Sequence, residues 1–280
     1  MTIESAENIA KIILPENPFA GLSGKPASSI QATQRLKIAL VGKQKSGKSW
    51  FACTAPGRIQ YYDFDDRAES IETHANKANI NIVTLRDLDQ SKPTSLKTIE
   101  SDLSTLKYAK QNGKFIPDTF VFDSVTFLKQ CMENELISQS PTLGRGLKLS
   151  PTRTLKIGAG WDIVNGVVGY LQYLISEFSQ LGNIIFVFHE RPEKDYTEST
   201  STTTKYTDQY TVDPQYLAKT LSVFNEVYRI KIDASNNYVV TCKACYEFTA
   251  STTLMIDATE KPDIMALIAK HKQRTQNGKL

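Results

Sequence analysis

The apolar run Leu36–Val41 leads straight into Gly42-Lys43-Gln44-Lys45-Ser46-Gly47-Lys48-Ser49, and this octet restricts the chain's possible folds more than any other feature. It fits G-x-x-x-x-G-K-[ST]. Gly42 and Gly47 allow the backbone to curl so that successive N–H groups point into one concavity. A helix starting near Gly47 adds the positive end of its dipole. Lys48 supplies a cation for the β- and γ-phosphates of ATP, and Ser49 a hydroxyl for Mg²⁺. Such a loop requires a buried strand before it and a helix after it. LKIALV provides the first, and Gly47 to Cys53, stopped at Pro56-Gly57, provides the second. Residues Gly42 to Trp50 are therefore read as the nucleotide-binding segment.

Phosphoryl chemistry also needs a carboxylate at the end of a neighbouring strand to hold the metal's water shell. Asp123 follows Thr119–Phe122 and precedes Ser124, so it takes the metal role together with Ser49. A strand over Ile59–Tyr62 runs into Asp63-Phe64-Asp65-Asp66, three acids at the carboxyl end where α/β proteins bind ligands. Asp65 is the candidate catalytic base, with Asp63 second. The competing reading is that these acids cap a following helix, an ordinary use of Asp.

Further strands are expected at Asn79–Thr84 and Ile184–Phe188, with helices over 94–112, 125–138 and 161–178. A helical pattern follows residue 66. A terminal hairpin, Val223–Ile232 with Tyr238–Cys242, turns at Asn236-Asn237, and a last helix covers 262–271. Strands alternating with helices predict an α/β fold with a mostly parallel central sheet. Residues 1–34 read as a flexible arm, with Phe19 as a candidate anchor on a neighbouring subunit. Residues 35–256 form the core, and 257–280 a C-terminal helix and tail. Apolar residues make up 40% of the chain and charged ones 22%, which argues against a disordered or coiled-coil chain. A net charge of +3 excludes nucleic-acid binding by bulk charge, leaving only local clusters. The longest apolar run, Ile184–Phe188, falls far short of the ~20 residues that span a bilayer, so a soluble, cytoplasmic protein is expected. Cys242 and Cys245 have half a zinc spacing, but a strand puts them on opposite faces and no second pair lies near.

The order of these elements resembles the RecA-like core P-loop ATPases. It is the phosphate loop, a strand ending in Asp-x-Asp, Asp123-Ser124, a long helix led by Trp161, a strand ending in His189, a polar loop and a basic hairpin. The nearest resemblance is to the short phage-encoded members associated with single-strand annealing and recombination. The resemblance implies that Asp65 stands where these enzymes keep a catalytic glutamate. It implies that His189 senses the γ-phosphate and relays it, and that Arg229 and Lys231 reach a neighbouring subunit's ATP. It further implies a slow, DNA-dependent ATPase forming rings or filaments on single-stranded DNA in the host cytoplasm, with a single-strand DNA-binding protein as a further partner.

Two segments suit a DNA surface. Arg145, Lys148, Arg153 and Lys156 lie on a Gly/Ser/Pro-rich stretch without acids, which could track a phosphate backbone. The 193–211 segment, a loop or long hairpin, interleaves Lys194 and Lys205 with Tyr196, Tyr206 and Tyr210, a pattern suited to base stacking. Two other classes stay open: a P-loop kinase or transferase acting on a small molecule, and a non-hydrolysing, ATP-dependent assembly switch.

Overall fold

The computed structural model describes residues 35–87, 89, 92–139, 159–195 and 204–277. The expected arm with Phe19, the cations Arg145, Lys148, Arg153 and Lys156, and Tyr196 lie outside the described residues.

The first half of the chain alternates strand and helix. Its elements are β1 (Lys37–Gly42), α1 (Lys48–Ala52), β2 (Ile59–Asp63), β3 (Ile80–Thr84), α2 (Ser95–Gln111), β4 (Thr119–Asp123) and α3 (Val125–Gln139). The second half carries α4 (Ala159–Leu181), β5 (Asn183–Asp195), β6 (Lys205–Asp213), β7 (Glu226–Ile232), β8 (Tyr238–Thr241), β9 (Thr259–Glu260) and α5 (Ile264–Gln276). Among the described residues these strands form one sheet in the order β3-β2-β4-β5-β1-β7-β8-β9, with β6 paired to β5. The strands from β3 to β7 run parallel, while β8, β9 and β6 are antiparallel additions.

Strand periodicity explains the layering. Successive side chains point to opposite faces, so a parallel sheet covered on both sides needs apolar residues at every position. Ala39, Val41, Phe120, Phe122, Ile184, Phe186 and Phe188 pack on one face under α2, α3 and α4. Their neighbours Ile38, Leu40, Val121, Ile185 and Val187 pack on the other face under α1 and α5. The C-terminal helix set apart at residue 257 is part of this second layer, because Ile264 and Leu267 are buried in it and β9 extends the sheet. No helix of the described residues is long and apolar enough to cross a membrane.

Two expectations are corrected. The helix after residue 66 is absent, and single 3-10 turns stand at Ala68–Ile71 and Lys77–Asn79. The buried Asp63 carboxylate takes the N–H groups of Asp65, Arg67 and Ala68 at 3.0, 2.9 and 2.8 Å, which gives the backbone a local alternative to a helix. β5, in turn, does not end at His189. It continues to Asp195 and forms a long hairpin with β6, with a register shift beside Pro192. A proline inside a strand is tolerated at such an irregularity.

Candidate nucleotide site

The sheet register brings the candidate residues to one edge. Gly42 aligns with His189, and Asp63 with Asp123, at the carboxyl ends of adjacent parallel strands. β5 lies between the strand of the phosphate loop and the strand of Asp123, so His189, where it leaves its parallel neighbours, stands in the middle of the site.

Two glycines of the octet have separate reasons. A Cβ on Gly42 would sit 2.5 Å from the Ile230 carbonyl oxygen, so β7 can approach only a glycine there. Gly47 has φ +85°, a conformation that favours glycine. Between them, Ser46 is buried and its hydroxyl has no hydrogen-bond partner among the described residues. The Lys48 ammonium donates to the carbonyls of Gly42 and Lys43 at 2.9 and 2.5 Å. Burial pushes Lys48 down to about 8, against the opposing pull of Asp123, Glu190 and Asp65. Gln44, Lys45, Ser49 and Trp50 line the same cavity, of about 260 Å³. Lys43 turns away from it, its ammonium 5.3 Å from the centre of the Tyr210 ring on β6.

Ser49 and Asp123, the expected metal residues, touch each other. Ser49 Oγ donates to Asp123 Oδ2 at 2.5 Å, and the Tyr61 hydroxyl donates to the same oxygen. Burial raises Asp123 above the usual carboxylate range, although both hydrogen bonds pull it down. A hydroxyl and one carboxylate form a hard oxygen set of the kind that holds Mg²⁺ jointly with substrate phosphates. No group of three or more His, Cys, Asp or Glu suited to a metal occurs among the described residues. The unpartnered Ser46 hydroxyl and the buried Lys48 cation fit a polyphosphate in this cavity, so the residues present suit Mg·ATP. Ser49 and Asp123 would hold the ion, which when bound neutralises charge on the phosphate oxygens.

Asp65 stands beside this pair. Its Oδ1 accepts from the Ser124 hydroxyl at 2.7 Å and the Ser124 N–H at 3.3 Å, and its Oδ2 lies 3.5 Å from His189 Nε2. Burial alone would raise its pKa, but the bonds from His189 and Ser124 and the His189 charge outweigh this and lower it. His189 Nε2 faces Asp65 Oδ2 at this long distance, and Nδ1 is buried without a hydrogen-bond partner among the described residues. Asp63, the second candidate, is spent on its turn and is 3% exposed.

Arg229 is a correction. Expected to reach across to another subunit, it is 4% exposed and clamped by its own chain. Its guanidinium meets both oxygens of Glu190 at 2.8 and 3.2 Å and Glu247 at 2.5 Å, and it lies 4.4 Å from the Tyr210 ring centre. β7 has a strand on each edge, and Glu190, Glu247 and the Tyr210 ring cover Arg229 on its face of the sheet. Lys231, on the same face, is partly exposed and 3.3 Å from Glu247. Removing one partner of a buried ion pair strands the other charge, at about 3–5 kcal/mol. Arg229→Met is therefore expected to lower Tm by roughly 10 °C, and Glu190→Met combined with it to recover most of that loss in calorimetry. A single variant as stable as the wild type would show that the pair holds nothing together.

Lys194, Lys205 and Tyr206 stand on the outer part of the β5–β6 hairpin, where Tyr206 opposes Lys194 and Lys205 opposes Asp195. Tyr61 and Tyr238 also border the cavity and were not anticipated. Tyr61 could have been found as an inward tyrosine two residues before the end of the β2 run; nothing local marks Tyr238, which reaches the site only through the sheet.

A family model described as an AAA domain matches residues 34–255. A search of curated proteins returned no match. The matched span runs from the start of β1 past β8 and takes in the phosphate loop, Asp65, Asp123 and His189. With four-fifths of its length matched and these groups gathered at one sheet edge, the chain belongs to the AAA domain family of nucleotide-binding P-loop ATPases.

Proposed function

We propose that this protein is an ATPase whose site drives, through β5 and the β5–β6 hairpin, the engagement of single-stranded DNA, in the manner of RecA-like annealing and recombination proteins. The observation that carries this reading is the continuity of β5. His189, 3.5 Å from Asp65, is the residue at which the strand leaves its parallel neighbours and begins pairing with β6. A second contact runs the same way: Tyr210, in the returning strand, lies near Lys43 of the phosphate loop on one side and Arg229 on the other. Any shift of the loop or of His189 on nucleotide binding is thus felt by the hairpin.

The chain's own groups divide the work. Lys48 and the loop backbone hold the phosphates, Asp65 orients the attacking water, and His189 reports the γ-phosphate position to the hairpin. Asp65 is ionised at neutral pH and a weak base, so orientation suits it better than full proton removal. Tyr206, 52% exposed and flanked by Lys194 and Lys205, offers a stacking surface for a base. Assembly into a ring or filament on the strand, a single-strand DNA-binding protein as accessory, and action in a phage-infected cell's cytoplasm belong to the same reading.

The test is anisotropy of a fluorescent oligothymidylate, titrated with protein with and without Mg·ATP. Binding is expected to tighten with Mg·ATP, and Tyr206→Ala to weaken it about fivefold or more. An oligonucleotide affinity that neither ATP nor Tyr206→Ala alters would refute the coupling.

A further inference from the structure

We propose that Tyr238, beside the tip of the β7–β8 hairpin, is the platform on which the nucleotide's base stacks. The proposal rests on the nucleotide reading of the same site and supplies what the phosphate loop cannot. Backbone N–H groups and Lys48 grip a polyphosphate and are blind to the base. A base needs a flat, partly apolar face beside the phosphate grip.

Two exposed aromatic side chains border the cavity, Trp50 at 44% and Tyr238 at 48% exposure. The Trp50 ring is already engaged edge-on with His74, centroids 4.4 Å apart. The Tyr238 ring has no aromatic or cationic partner among the described residues. It packs on the loop itself: a Cβ at Gly47 would lie 3.0 and 3.2 Å from its Cδ1 and Cε1. Gly47 thus has a second reason to be glycine, since a side chain there would push the ring off the loop.

The backbone that carries the ring is held in advance. The Asp233 carboxylate accepts the N–H groups of Ser235 and Asn237, both at 2.8 Å, and the Asp233 N–H donates to the Asn237 carbonyl at 2.9 Å. Asn236 takes the positive φ that closes this turn, and Tyr238 then pairs with Ile232 as the first residue of β8. A surface fixed before binding loses little entropy when the base arrives. Because the ring offers area rather than a donor–acceptor pattern, ATP and GTP should bind alike, and both better than CTP or UTP.

The experiment is calorimetric titration of wild type, Tyr238→Ala and Tyr238→Phe with Mg·ATP and with inorganic tripolyphosphate, which has no base. Tyr238→Ala is expected to weaken ATP about tenfold while leaving tripolyphosphate unchanged, and Tyr238→Phe to bind both as the wild type does. Equal losses for the two ligands would mean that the ring only props the loop, and an unchanged ATP affinity would mean that it does not touch the base; either overturns the proposal. Failure of the underlying site reading shows in the wild type, as binding of neither ligand, whereas failure of the proposal shows only in the alanine variant.

Discussion

Asp65→Asn is expected to bind Mg·ATP at least as tightly as the wild type and to hydrolyse it about 10²- to 10⁴-fold more slowly. The amide keeps the shape of the carboxylate and can still accept the Ser124 hydroxyl at the Oδ1 position, so the pocket has no reason to rearrange. What is lost is the negative charge next to His189 Nε2 and the acceptor that aligns the water. Binding does not suffer, because an anion near a polyphosphate repels it. Single-turnover phosphate release set beside calorimetric affinity separates the two effects. If turnover survives the substitution, the water is handled by another group, and the assignment of Asp65 fails even though the phosphate loop stands.

Lys48→Ala should instead remove binding and turnover together. Lys48 is 5% exposed, and burial already lowers its pKa to about 8, so the protein holds an ill-solvated cation in place by the Gly42 and Lys43 carbonyls and nearby acids. A desolvated charge gains most from a polyanion, since little water has to be displaced to meet it. Losing one such charge-stabilising group costs about 10²–10³ in turnover, and here Asp123, Glu190 and Asp65 would also lose the attraction of this cation. We expect Mg·ATP binding to vanish from calorimetry while the melting temperature changes little. Retained micromolar binding by the variant would mean that the nucleotide sits elsewhere.

The parts of this site readable from sequence are those whose chemistry is contained in a short local pattern. The octet announces itself because its backbone shape needs glycines at fixed places, and Asp123 because a metal carboxylate must end a buried strand. Apolar runs located the interior strands for the same reason: both faces of a parallel sheet are covered. The misses arise where a segment's environment is made by distant chain. Residues 193–211 are polar and leave loop and long hairpin both open, and only pairing with β6 from His189 onward, past Pro192, makes the segment the hairpin. Arg229 looks like a solvated strand residue because Val227, Tyr228, Arg229, Ile230 and Lys231 alternate. Its acid partners stand on that unseen extension and on a segment beyond β8, at Glu190 and Glu247. The sequence puts Asp65 ahead of Asp63 as candidate base without a local reason; the turn after β2 supplies one, since its backbone N–H groups take up the Asp63 carboxylate. The pairing of Gly47 with Tyr238 spans the whole sheet and has no local trace at all.

In the proposed function, one site at the carboxyl edge of the sheet hydrolyses ATP and answers to the hairpin attached to it. Phosphate release from ATP, measured with and without single-stranded DNA for the wild type and Lys48→Ala, tests it most directly. Turnover is expected to rise with the strand and to be absent from Lys48→Ala under both conditions. Turnover in the wild type that is indifferent to the strand would contradict the coupling and point to a small-molecule transferase or an assembly switch. Turnover that persists in Lys48→Ala would contradict the site itself.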